Sequence, residues 1–155
     1  MIKIILIDDD YARGWEHIFG FMFKDIYEKY AEFVVCKVFT DEHITEIYKD
    51  NPHAIFIQDN QLSDYGRNSM KKTGLDYLRD FGDKRKIIFH SADHDKGFLA
   101  AKYGAVMFLR KDDPARQMSN KEMQDQILEM HQIIIRHLGL CPEYIWIPMM
   151  KMGLI

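Results

Sequence analysis

Four places in the 155-residue chain put chemically capable side chains at the end of a largely apolar run. "KIILIDDD" ends in Asp8, Asp9 and Asp10, "AIFIQD" in Asp59, "KIIFHSA" in Ser91 and Ala92, and "VMFLRK" in Lys111. Carboxylates held about 4 Å apart repel by roughly 4 kcal/mol per pair at an effective dielectric near 20. A divalent cation removes that cost, and oxygen donors alone select Mg²⁺, Mn²⁺ or Ca²⁺ over zinc. A hydroxyl and an ammonium beside such a cation suit phosphoryl oxygens, and phosphoryl transfer needs little beyond a metal, positive charge and an in-line nucleophile.

The elements that must position these groups are legible as alternation. The runs 3–8, 33–39, 54–59, 86–91 and 106–111 read as strands rich in Ile, Val and Phe. Helix-periodic stretches separate them: 14–33, where Trp15, Ile18, Phe19, Met22, Phe23, Ile26 and Tyr30 recur at steps of three and four, then 41–50, 74–81, 96–103 and 119–138. Strands that are apolar almost throughout belong to a parallel sheet covered on both faces. The expectation is an α/β, doubly wound sheet, in which ligands bind beyond the carboxyl ends of the strands. Asp10 is expected to cap the first helix.

A length of 155 residues, 47% of them hydrophobic, fits one domain with a core of its own. A net charge of −3 gives no general attraction for a phosphate backbone or an anionic membrane, so neither nucleic acid nor membrane is expected as a partner. No apolar stretch approaches the roughly 18 residues of a membrane span, and Cys36 and Cys141 have neither metal-site nor redox-motif spacing. A cytoplasmic protein with inert thiols is expected. Of the histidines, His90 and His94 bracket a loop, and His131 and His137 lie six apart, so neither pair has the geometry of a helical zinc site; they are expected as packing or surface residues.

Taken in order, "LIDDD", "FIQDNQLS", "GLDYL", "IIFHSA" and "GAVMFLRK" resemble the motifs of response-regulator receiver domains, from Ile2 to about Leu138. The resemblance implies a flavodoxin-like, five-stranded parallel sheet in the order 2-1-3-4-5. It implies that Asp59 is the phosphoacceptor and that Asp8, Asp9, Asp59 and the Gln61 carbonyl hold Mg²⁺, with Mn²⁺ as a substitute. Ser91 and the Ala92 amide would contact the phosphoryl group, Lys111 would bridge it, and Phe108 with Ser91 would form the switch. The partners it implies are a sensor histidine kinase or histidine phosphotransfer protein and a downstream protein target, with a homodimer as a further option; the chain would be a switch rather than an enzyme. Residues 1–138 are expected as the receiver, 63–73 as an inserted loop carrying Arg67, Lys71 and Lys72, and 139–155 as an apolar extension without a separate output domain.

Ser63 and Asp112 stand where the family usually has proline, which leaves open both a phosphorylation-independent receiver-like module and the shape of the Lys111–Asp112 loop. Gln61 and Asp93 occupy positions that tune phosphate lifetime in the family. A separate alternative is that Asp8-x-Asp10 resembles the opening motif of haloacid-dehalogenase-like phosphatases, with Asp8 as nucleophile and Asp10 as acid-base. Ala12 departs from that motif, which also leaves Asp59 unexplained.

Overall fold

A computed structural model describes residues 1–9, 27–62, 70–111, 119–141, 143 and 150. Five strands make one parallel sheet: β1 (Ile2–Ile7), β2 (Ala31–Val35), β3 (Ile55–Asp59), β4 (Lys86–Ser91) and β5 (Met107–Arg110), in the order β2-β1-β3-β4-β5. The described helices are α1 (Asp41–Asp50), α2 (Gly74–Phe81), α3 (Gly97–Lys102) and α4 (Asn120–Leu138), with a 3₁₀ turn at His94–Lys96 before α3. The parallel direction is that expected from the alternation of apolar runs and periodic stretches, and the order is the one the resemblance implies.

Strand periodicity divides the core. Ile4 and Leu6, Ile55 and Ile57, Ile88, and Met107 and Leu109 point to one face, where Met130, Ile134 and Ile135 of α4 cover them. Ile5 and Ile7, Phe56, Ile87 and Phe89 point to the other, under Ile44 and Tyr48 of α1, Tyr77 and Leu78 of α2 and Ala100 of α3. Each fully buried Ile or Leu contributes about 1.5–3 kcal/mol, and both faces are covered, as nearly continuous apolar strands require.

Local signals set the helix ends. Thr73 caps α2 and Ser119 caps α4, each in a reciprocal capping box with Asp76 and Glu122 respectively. Gly139 stops α4 in the left-handed region at φ 67°.

One pair of boundaries departs from the sequence reading. The first helix was expected to run through Phe33 and the second strand from Phe33 to Phe39, whereas a turn occupies 27–30 and β2 spans Ala31–Val35. The reason is register: among the described residues β2 is an edge strand pairing with β1 alone, Ile2 with Ala31 through Leu6 with Val35, and β1 ends at Ile7. Val38, although apolar, lies beyond that pairing and is 49% exposed. Most of the expected first helix, with Asp10, falls outside the described residues.

Candidate functional site

The site follows from the alternation just described, carried one step further along each strand. Register aligns Leu6 with Ile57, Ile57 with Ile88, and Ile88 with Met107. Two residues on, the same face of the sheet holds Asp8, Asp59, His90 and, past Leu109, Lys111. An apolar row thus gives way to a polar one at the carboxyl ends of four adjacent strands, beside the point where β1 pairs with both β2 and β3. That is where open α/β sheets bind ligands.

Asp8, Asp59 and His90 are buried. The Lys111 ammonium donates to Asp59 Oδ1 at 2.9 Å and to Asp8 Oδ2 at 3.1 Å, while His90 Nδ1 lies 3.6 Å from Asp8 Oδ2. Burial, then repulsion from Asp8, pushes the Asp59 carboxyl up to about 8 against the pull of Lys111. Burial works to lower Lys111, but Asp59 and Asp8 outweigh it and hold the ammonium above the ordinary lysine value. One ammonium can neutralise one carboxylate. The buried pair, as a coupled unit, therefore holds on to a proton near neutral pH unless a further cation takes its place, and half-buried Asp9 adds to the negative potential. Burial, helped by the Lys111 charge and opposed by Asp8, takes the His90 imidazole down to about 4, so it is neutral at physiological pH.

The backbone beneath Asp59 is held from both sides. Tyr48 Oη donates to Gln58 Oε1 at 2.6 Å, and Gln58 Nε2 donates to the Asp59 carbonyl at 2.8 Å. Asn60 receives the Gly74 amide on its carbonyl at 2.9 Å and the Leu75 amide on its side chain at 3.1 Å. This brings α2 so close to the end of β3 that a Cβ on Gly74 would lie 1.9 Å from the Asp59 carbonyl oxygen, and only glycine fits.

The other expected residues lie around this centre. Ser91 is buried at the end of β4; its hydroxyl accepts the Asp93 amide at 3.0 Å and its carbonyl accepts the Lys111 amide at 2.9 Å. Ala92 follows it and is half-buried, whereas Gln61 is exposed two residues after Asp59. Phe108 lies on the opposite face of the sheet, half-buried, its ring 5.9 Å from that of Phe89 and close over Gly97. Asp93 caps the turn before α3, and His94 Nε2 meets the Lys111 carbonyl at 2.8 Å.

Of the long 63–73 connection, residues 63–69, with Arg67, fall outside the described part. Its end is fastened to α1: the amides of Lys71 and Lys72 donate to the Asp41 carboxylate, and Lys72 Nζ pairs with exposed Asp80 at 3.1 Å. The Lys111–Asp112 bond runs out of the described residues, as does most of 139–155. Cys36 is buried and Cys141 exposed, and both are free thiols. His131 is a buried packing residue bonded to the Tyr27 hydroxyl. Among the described residues no helix is long and apolar enough to cross a membrane.

The sequence reading did not find His90, Gln58 or Asn60 as parts of the site. Their signal was present as polar residues inside or beside otherwise apolar strands, but it acquires meaning only with the register.

No protein-family model matches the chain, and no curated protein matches it in sequence. Solved structures match in fold. The response regulator TrrA of Thermotoga maritima, in complex with Mg²⁺–BeF, aligns at a TM-score of 0.51 and 16% identity over 84% of this chain and 99% of its own. A receiver-domain protein of Clostridium thermocellum aligns at 0.51 and 21% over 86% and 99%. The signal receiver domain of a DNA-binding response regulator from Colwellia psychrerythraea aligns at 0.55 and 11% over 85% and 99%. The fold of this chain is the receiver fold.

Proposed function

We propose that the chain is a response-regulator receiver, a phosphorylation-dependent switch in which Asp59 takes a phosphoryl group from a phosphohistidine on a sensor kinase or phosphotransfer protein. The observation carrying this reading is the meeting of Asp8, Asp59 and Lys111 at the carboxyl ends of β1, β3 and past β5, within 3.1 Å of a shared ammonium.

In the transfer, an Asp59 carboxylate oxygen attacks phosphorus, the P–N bond breaks, and the electron pair returns to the donor imidazole, which takes up a proton. Lys111, already on Asp59, draws charge from the phosphoryl oxygens as the new O–P bond forms. Asp8 holds Lys111 from the other side, so the ammonium stays aimed when Asp59 loses its own negative charge. The Ser91 hydroxyl, which accepts the Asp93 amide, donates its own proton to a phosphoryl oxygen, and the Ala92 amide supplies a second donor. Movement of Ser91 at the end of β4 is coupled to Phe108 on the neighbouring strand, and a reoriented ring biases the surface read by a protein partner.

The residues fit a divalent cation: two buried carboxylates and half-buried Asp9 exceed the charge of one ammonium, and all offer oxygen donors. Asp8, Asp9, Asp59 and the Gln61 carbonyl would hold Mg²⁺ or Mn²⁺, which when bound neutralises phosphoryl and carboxylate oxygens together. Residues 1–138 form the receiver in this reading, the protein acts in the cytoplasm, and its output is protein docking rather than catalysis on a separate substrate.

The test is intact mass after incubation with acetyl phosphate and Mg²⁺. A single phosphoryl adduct that disappears in Asp59→Asn and with chelator supports the switch. Absence of an adduct, with beryllium fluoride also failing to bind, points instead to a phosphorylation-independent module.

A further inference from the structure

Beside the two carboxylates the same row of the sheet holds a histidine, and its position is unlike that of the other histidines described. His90 is fully buried at the end of an otherwise apolar β4 segment, on the face where Ile88 precedes it and Leu109 is its register partner. Its Nδ1 lies 3.6 Å from Asp8 Oδ2. One donor atom from each of Asp8, Asp59 and His90 can be chosen so that all lie within 4.8 Å of one another. Ligands on one ion at ordinary distances of about 2.0–2.2 Å lie at most about 4.4 Å apart, so a small adjustment of the side chains closes the three donors on one ion.

We propose that His90 is a nitrogen ligand of the cation site, so that the site takes a first-row transition-metal dication in preference to Mg²⁺. The inference rests on the receiver reading, which supplies the cation, and adds a donor that reading does not contain. Mg²⁺ is a hard ion that favours oxygen and keeps its waters, whereas imidazole suits the transition series. Two carboxylates and one neutral imidazole bring two negative charges and one borderline donor to the site. Lys111 Nζ donates to Asp8 Oδ2 and Asp59 Oδ1, so a cation bound here shares the two carboxylates with the ammonium.

The experiment uses Mn²⁺ as the probe on the whole chain, with Mg²⁺ as competitor. Wild-type protein is expected to bind Mn²⁺ on the order of tenfold more tightly than Mg²⁺, and pulsed electron paramagnetic resonance should show coupling of the bound Mn²⁺ to an imidazole ¹⁴N. In His90→Val and His90→Gln, the coupling should vanish and the preference fall toward unity, with Mg²⁺ affinity changed little. Bound Mn²⁺ without nitrogen coupling in the wild type overturns the inference, and that measurement does not depend on either variant folding. If the Mg²⁺-dependent adduct on Asp59 forms while Mn²⁺ shows no nitrogen coupling, the inference fails and the receiver reading stands. If neither an adduct nor a bound cation is found, both fail.

Discussion

At the scale of single residues the site is governed by an imbalance of charge. Lys111 meets Asp59 and Asp8 at 2.9 and 3.1 Å, and no single ammonium satisfies two buried carboxylates. Removing the cation should therefore be costly: Lys111→Met is expected to lose about 3 kcal/mol in chelator, and added Mg²⁺ should restore part of it, as read by urea unfolding. Asp59→Asn should do the opposite, raising the melting temperature in chelator, most of all above pH 8, because it removes a buried carboxyl that ionises only against burial and the Asp8 charge. An unchanged or lower value there would show that the charges are already balanced. His131 offers a test outside the site. Burial lowers its imidazole to about 4 from the ordinary 6.5, so between these values the unfolded chain binds a proton that the folded chain does not. The stability linked to this group is complete above about pH 6.5 and falls toward pH 4 by roughly 1.4 kcal/mol per unit. Urea unfolding of His131→Phe at pH 5 and 7 should show a correspondingly smaller difference than wild type.

At the scale of elements, the positions of the functional side chains depend on how strand ends meet helix starts. Gly74 makes the point most sharply, since a Cβ there would fall 1.9 Å from the Asp59 carbonyl oxygen. Gly74→Ala is expected to cost roughly 2–4 kcal/mol by forcing α2 off β3, and to slow phosphorylation of Asp59 even where the variant folds. Thr73→Ala, which removes only the cap of the same helix, should cost about 1 kcal/mol and leave phosphorylation nearly intact. The contrast between the two variants separates displacement of the site from loss of helix stability. Elements of this kind were readable where local signals fix them: α2 matches the periodic stretch 74–81 and β4 the run 86–91. Edge strand β2 was misplaced because its limits come from β1, its partner, rather than from its own apolar run.

At the scale of the whole molecule, a five-stranded parallel sheet in the order β2-β1-β3-β4-β5 gathers onto one rim residues separated by as many as 103 positions, Asp8 and Lys111. Asp8, Asp59, Ser91 and Lys111 could be singled out in the sequence because each closes a strand-like run with a carboxylate, hydroxyl or amine. His90 was not. It belongs to the same row, but a histidine within a strand acquires that meaning only when non-local pairing sets Asp59 opposite it. The central claim is that this rim makes Asp59, and no other carboxylate, the acceptor of a phosphoryl group. It is tested most directly by treating the protein with acetyl phosphate and Mg²⁺, reducing the acyl phosphate with borodeuteride, and locating the labelled homoserine by peptide mass spectrometry. The account predicts the label at position 59 alone; label at position 8, the nucleophile of a phosphatase-type site, would contradict it.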